Sequence, residues 1–301
     1  MLLSELRPGE ALPWDLYGFD EPCAPLLLRK GDLAPAADQI KALVEAGLYA
    51  CADDAPSVLH QLNDANWRLE RLLHDLHANN DAERDLRDIA ACVVAAVEQH
   101  PDIALACVFL NQIGGSHAVR HSTETAVVAT LIAHGLQAGP QTTLRVAAAA
   151  LTMNASMVHQ HDSFQSRRTA LTREEIELMR RHPADSAELL KCAGIKDEEW
   201  LACVMLHHQH DGGDEDDGGV VNRDARLIGL ADRYCARVSA RNYRSSLLPD
   251  HALHHALREA RQPADIELAA QLALQVGAYP PGSLVRLENG ERGVMVTRRG
   301  L

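Results

Sequence analysis

Aromatic side chains are scarce. The chain has three Phe, five Tyr and three Trp in 301 residues, 4% in all. Strand-built cores lean on aromatic and β-branched residues, so this scarcity argues against a β-sandwich; abundant Ala and Leu favour helices packed closely through small side chains. Cations are also in short supply. Lys and Arg number 29 against 42 Asp and Glu, a formal net charge of −13. That balance argues against DNA, or an anionic membrane, as a general partner, while a local group of arginines can still hold a small anion. The seven cysteines include no CxxC pair, so they are expected as buried thiols in a reducing compartment. No apolar run has the length of a membrane span, and Met1–Arg7 lacks the basic and apolar regions of a secretory leader. A soluble, cytoplasmic protein is the expectation.

What is present is 47% apolar residues, ample for a core, on a chain long enough for two units. Residues 1–55 are irregular, punctuated by Pro8-Gly9, Pro13 and Gly18, with a short strand at Leu26–Gly31 and a short helix at Asp38–Gly47. They are read as a small α+β module. In residues 56–81, Leu59, Leu62, Leu69, Leu72 and Leu76 recur at helical spacing between charged residues. This linker helix either packs on its own chain or forms a dimer seam; it is too short for a coiled coil. Residues 82–278 are almost wholly helical. Thr143–Met153 is apolar enough for a central buried helix, and Thr172 with Glu175 forms a capping box at the start of another. Residues 279–301 hold a β-hairpin, in which Asn289-Gly290 suggests a type I′ turn. The fold class is therefore mainly α, a helical bundle with a small N-terminal α+β module and a C-terminal β-hairpin.

Chemistry gathers between His117 and Arg244. His121, His182, His207, His208 and Asp232 each lie beside an apolar helical segment, and side chains on facing helices of a bundle can converge on a metal. Any one of sixteen histidines is more often a cap or a solvated side chain. His77, His100, His134, His251, His254 and His255 are read that way, and His159-Gln160-His161-Asp162 as a polar loop. The argument rests on the set as a whole.

That set resembles the HD-GYP family, a branch of the HD superfamily whose members hydrolyse the bacterial second messenger cyclic di-GMP at a two- or three-metal centre. The likeness runs from about Ala82 to Ala278. Arg120-His121-Ser122 resembles the family's first histidine motif. Leu171-Thr172, Glu175, Met179 and His182-Pro183 resemble its next segment. His207-His208 resembles its double histidine, Ala231-Asp232 its last aspartate, and Arg241-Asn242-Tyr243-Arg244 its RPYR segment. The departures are as plain. Asn154 stands 28 residues before His182, the separation the family has between the aspartate of its HDIGK motif and the HP histidine. Met153 thus replaces the histidine of that motif, Asn154 its aspartate and Met157 its lysine. Gln209 replaces a glutamate, and the acidic run Asp214-Glu215-Asp216-Asp217 falls where the GYP triplet is missing.

The resemblance implies an HD-superfamily bundle with His121, His182, His207, His208 and Asp232 as residual metal ligands. It also implies Arg167, Arg241, Tyr243 and Arg244 as phosphate- or base-binding residues. A bridging carboxylate holds two ions together and clamps the attacking hydroxide; Asn154 bridges poorly, and Met153 is a soft thioether unsuited to Fe, Mn or Mg. No catalytic residue is assigned. The expectation is a non-hydrolytic bacterial signalling protein that binds cyclic di-GMP or a related nucleotide, a protein partner, or both, with one Fe, Mn or Zn ion on the remaining histidines or none. Two alternatives stay open: a residual metal-dependent phosphodiesterase, and a homodimeric scaffold with an empty pocket.

Overall fold

The computed structural model describes residues 56–76, 81–160, 172–208, 222–239 and 246–298, together with short stretches of the first 50 residues. In the N-terminal stretches, three short strands form an antiparallel sheet in the order β2-β1-β3: β1 (Leu16–Tyr17), β2 (Leu26–Leu28) and β3 (Tyr49–Ala50). The strand expected at Leu26 is there. Most of the helix expected at Asp38–Gly47 lies outside the described residues.

Ten helices follow among the described residues: α1 (Val58–His74), α2 (Ala82–Gln99), α3 (Pro101–Phe109), α4 (His117–Gly135), α5 (Pro140–Thr152), α6 (Arg173–Cys192), α7 (Glu198–Leu206), α8 (Arg223–Val238), α9 (Pro249–Glu259) and α10 (Pro263–Val276). Their starts follow local rules. Ser57, Asp197 and Asn222 accept from the first-turn backbone of α1, α7 and α8, and the Thr172–Glu175 capping box opens α6. Proline opens α3, α5, α9 and α10, where its missing N–H costs nothing. The sequence reading passed over α9, although Pro249 at its start and the buried spacing of Ala252, Leu253 and Ala256 mark it.

The core is centred on α4 and α5. Fifteen residues of α4 are buried, and Val146–Thr152 of α5 are sealed from solvent, so both helices are wrapped on all sides. α1 belongs to this core: Leu62, Leu69, Leu73 and Leu76 are buried against the following helices. Its polar side chains hold the loop before α4. Asn63 accepts from the Gly114 N–H at 2.8 Å, and Asn66 donates to the Gly114 carbonyl and accepts from Thr123 Oγ1. Glu70 accepts from the Ser116 N–H. A helix read as a linker is thus the clamp that sets where α4 begins.

The C-terminal hairpin pairs β4 (Leu284–Arg286) with β5 (Arg292–Val294). Its turn differs from the expected type I′. Gly290 alone has positive φ, at 89°, and its N–H bonds the Leu287 carbonyl, while the Leu287 N–H bonds the Glu291 carbonyl. That is a three-residue loop ending in a left-handed glycine. Asn289 instead uses its side chain, accepting from the Glu291 N–H. No single helix among the described residues is long and apolar enough to cross a membrane.

Candidate metal centre

Five residues singled out from the sequence converge from four places in the bundle. His121 lies in the second turn of α4, His182 is mid-way along α6, His207 and His208 directly follow α7, and Asp232 is in the middle of α8. His182, His207 and His208 form one cluster, with a ring nitrogen from each inside 4.8 Å of the others. His121 Nε2 donates to Asp232 Oδ1 at 2.7 Å, and Asp232 Oδ2 lies 4.0 Å from His208 Nε2. Asp232 therefore joins the two halves of the set.

Local backbone chemistry fixes the rings. Pro183 has no N–H, so the Met179 carbonyl four residues earlier loses its helical donor. His182 Nδ1 takes that place at 2.7 Å. α7 ends at Leu206, which leaves the Val204 carbonyl without a helical partner, and His207 Nδ1 lies 2.6 Å from it. A carbonyl only accepts, so each Nδ1 carries the proton and each Nε2 carries a lone pair. His207 and His208 directly follow α7, and their ring centroids lie 4.1 Å apart.

The two Nε2 atoms of His182 and His207 then face each other at 3.3 Å. Protonating one would relieve the clash of lone pairs, but burial resists it. Burial and the neighbouring His208 push His207 down to about 3, and burial lowers His182 as well. Asp232 behaves oppositely. Burial alone would raise its carboxyl, but the His121 hydrogen bond and the surrounding imidazoles hold it well below the usual carboxylate range. Neutral nitrogen donors aimed at one point, beside an ionised carboxylate, are a donor set that fits a single borderline divalent ion such as Zn or Fe.

Among the described residues, the three histidines are the one group that could hold an ion. Met153 is sealed in the core at the end of α5, and Asn154 follows it with a neutral amide. The next residues form a 3-10 turn, Ala155–Met157, stapled to α6: Ser156 Oγ donates to the His182 carbonyl, and the Ser156 N–H bonds Ser186 Oγ. At the position where the resemblance puts the family's bridging carboxylate stands Asn154. Met157 is buried too, so the position of the family's lysine carries no charge. Arg167, Arg241, Tyr243 and Arg244 lie outside the described residues.

Two positions were missed from the sequence. Gly229, inside α8, lets α7 close on it, because a Cβ there would collide with the His207 carbonyl oxygen. Its signal was a glycine within the helical run Leu227–Ala231, where glycine needs a packing reason. Glu124 is buried one turn beyond His121, where burial raises its carboxyl; it accepts from Ser239 Oγ and lies 3.6 Å from Arg120 Nε. Nothing in the sequence distinguished it from the solvated carboxylates.

A helical bundle with histidines and an aspartate gathered between its helices is the arrangement that the HD-GYP resemblance of the sequence implies. The comparisons carry this further. The chain matches no family model. Over 271 residues it is 24% identical to the cyclic di-GMP phosphodiesterase PA4108 of Pseudomonas aeruginosa, covering 89% of this chain and 63% of that protein. It therefore spans a little under two thirds of that relative's length. The HDG"Y"P protein Bd1817 of Bdellovibrio bacteriovorus has the same fold, with a TM-score of 0.54 at 14% identity over 90% of this chain and 97% of that one. The likeness in sequence and the shared fold support membership of the HD-GYP family.

Proposed function

We propose that this chain is a bacterial signalling protein whose HD-GYP domain binds cyclic di-GMP, or a related nucleotide, without appreciable hydrolysis. The observation that carries the reading is the pair Met153 and Asn154, a buried thioether and a neutral amide where a two-metal hydrolase needs a histidine and a bridging carboxylate. The name of the Pseudomonas relative supplies the nucleotide. The positive side chains that would grip its phosphates are Arg167, Arg241 and Arg244, with Tyr243 beside them, since arginine binds phosphate in a bidentate manner and stacks on bases. One ion on His182, His207 and His208 would supply positive charge to a phosphate oxygen. The chain's own residues orient those donors through Met179, Val204 and Gly229, and hold Asp232 ionised. The protein acts in the cytoplasm on this reading, and a signalling protein that senses the bound state completes it.

The three-histidine cluster favours a second reading, a residual metal-dependent phosphodiesterase. Calorimetric titration of cyclic di-GMP into metal-analysed protein, followed by chromatography of the nucleotide, separates the two. The proposal expects heat of binding and intact nucleotide, with affinity reduced in Arg241→Ala. Cleavage that His182→Ala abolishes would replace it with the enzyme reading. No heat at any metal loading would refute both.

A further inference from the structure

The C-terminal hairpin presents a face that no part of the nucleotide reading uses. Side chains alternate along a strand, so Leu284 and Arg286 of β4 share one face with Arg292 and Val294 of β5. The register sets Leu284 opposite Val294 and Arg286 opposite Arg292. All four are exposed: Leu284 at 78% and Val294 at 48%, and Val296, just beyond β5, at 81%. The opposite face is the packed one. Val285 and Met295 are half-buried, and Gly282 rests on Leu110, Ala106 and Phe109. Arg298 fastens the far end, donating to Asp102 and to the Gln275 carbonyl. The ribbon is held against the bundle with an apolar, cationic surface outward.

The arginine pair is the informative feature. Ser283 with Met295 and Leu287 with Glu291 are hydrogen-bonded positions. By alternation, Arg286 and Arg292 occupy the intervening type of site, where facing side chains approach most closely. Like charges directly opposite each other there weaken the ribbon. Neither arginine forms an ion pair among the described residues, and the nearby Glu291 is engaged by Asn289. The ribbon has two strands, so both of its outer edges carry unpaired backbone groups. A flat face without a cavity is not a small-molecule site. Two arginines on a chain of net charge −13 are too few for the dense negative charge of a membrane or nucleic acid, but they match a pair of carboxylates.

We infer that this ribbon docks an extended acidic segment of a partner protein, with carboxylates on Arg286 and Arg292 and apolar side chains on Leu284, Val294 and Val296. Main-chain pairing along a free edge supplies the rest of the contact, as in strand addition. The surface is independent of the nucleotide site and stands or falls without it.

The test uses the full chain and a fluorescent peptide of alternating Glu and Val, read by anisotropy at low salt. Phosphatidylglycerol vesicles and a single-stranded oligonucleotide run in parallel. The peptide should bind, and the variant carrying Arg286→Glu and Arg292→Glu should bind it about tenfold more weakly, the loss of two exposed ion pairs. A Lys–Val peptide should then prefer that double variant. Arg286→Glu alone creates a favourable cross-strand pair, so weaker peptide binding by this variant cannot be blamed on an unfolded ribbon. Absence of binding, equal binding by parent and variants, or arginine-dependent binding of vesicles or oligonucleotide in place of the peptide would overturn the inference.

Discussion

Adding zinc should raise the melting temperature of this protein, and removing His207 should abolish the rise. The unprotonated Nε2 atoms of His182 and His207 face each other at 3.3 Å, each ring locked by a hydrogen bond from its other nitrogen. Burial blocks the proton that would separate them, with His207 pushed down to about 3. An ion on these two nitrogens and His208 binds the native state and not the unfolded chain. At a free concentration one hundred times the dissociation constant, that linkage stabilises the fold by about 2.7 kcal/mol. For a chain of 301 residues it corresponds to a rise of about 4 °C. The assay is differential scanning calorimetry of chelator-treated protein across a zinc series, with His182→Ala and His207→Ala alongside. Parent protein that melts at one temperature in chelator and in excess zinc would refute the reasoning. So would a shift of equal size in His207→Ala, which would place the ion elsewhere.

Four other outcomes follow from the same geometry. Gly229→Ala places a methyl group against the His207 carbonyl oxygen; it should cost about 1–3 kcal/mol in urea unfolding and remove the zinc-dependent shift, and a shift of parental size would show that His207 is not positioned this way. Met153→His with Asn154→Asp should confer metal-dependent cleavage of cyclic di-GMP, read by chromatography, at a cost of about 2–3 kcal/mol to the metal-free fold from burying a polar ring; failure to cleave with two ions bound would mean that other replacements also silence the site. Because the folded His207 sits near 3 against an ordinary 6.5, its share of stability is full above pH 6.5 and is lost as pH falls from there toward 3. Chelator-treated protein should thus lose about 2 kcal/mol between pH 7 and 5 on account of this residue, and urea midpoints that lose as much in His207→Gln would contradict that assignment. Asn66→Ala strips partners from Thr123 and from the Gly114 carbonyl, so unfolding should become easier by about 2–3 kcal/mol; a change below 0.5 kcal/mol, roughly that of an ordinary surface substitution, would show that α1 does not clamp the loop before α4.

Much of the bundle is legible in one dimension because its determinants are local. The capping box at Thr172, the prolines that open four helices and the apolar run into Thr152 each act within a few residues. α9 was missed because its three exposed histidines draw the eye from Ala252, Leu253 and Ala256. The hairpin was legible, but its turn was not. Asn-Gly is compatible with more than one loop, and the Asn289 side chain, bonded to the Glu291 N–H, goes with the three-residue form.

The sequence by itself named the candidate ligands and put Met153 and Asn154 where the resemblance places a His-Asp pair, since residue identity and spacing are carried along the chain. It could not determine how the ligands meet. The tautomers of His182 and His207 depend on carbonyls released by Pro183 and by the end of α7, and the approach of α7 to α8 depends on the empty Cβ position of Gly229. The tie between His121 and Asp232 spans 111 residues. Those are relations between elements distant in sequence. They exist only once the core around α4 and α5 has brought the helices together, because a hydrogen bond or a lone-pair clash is decided at about 3 Å and leaves no mark on the spacing of residues.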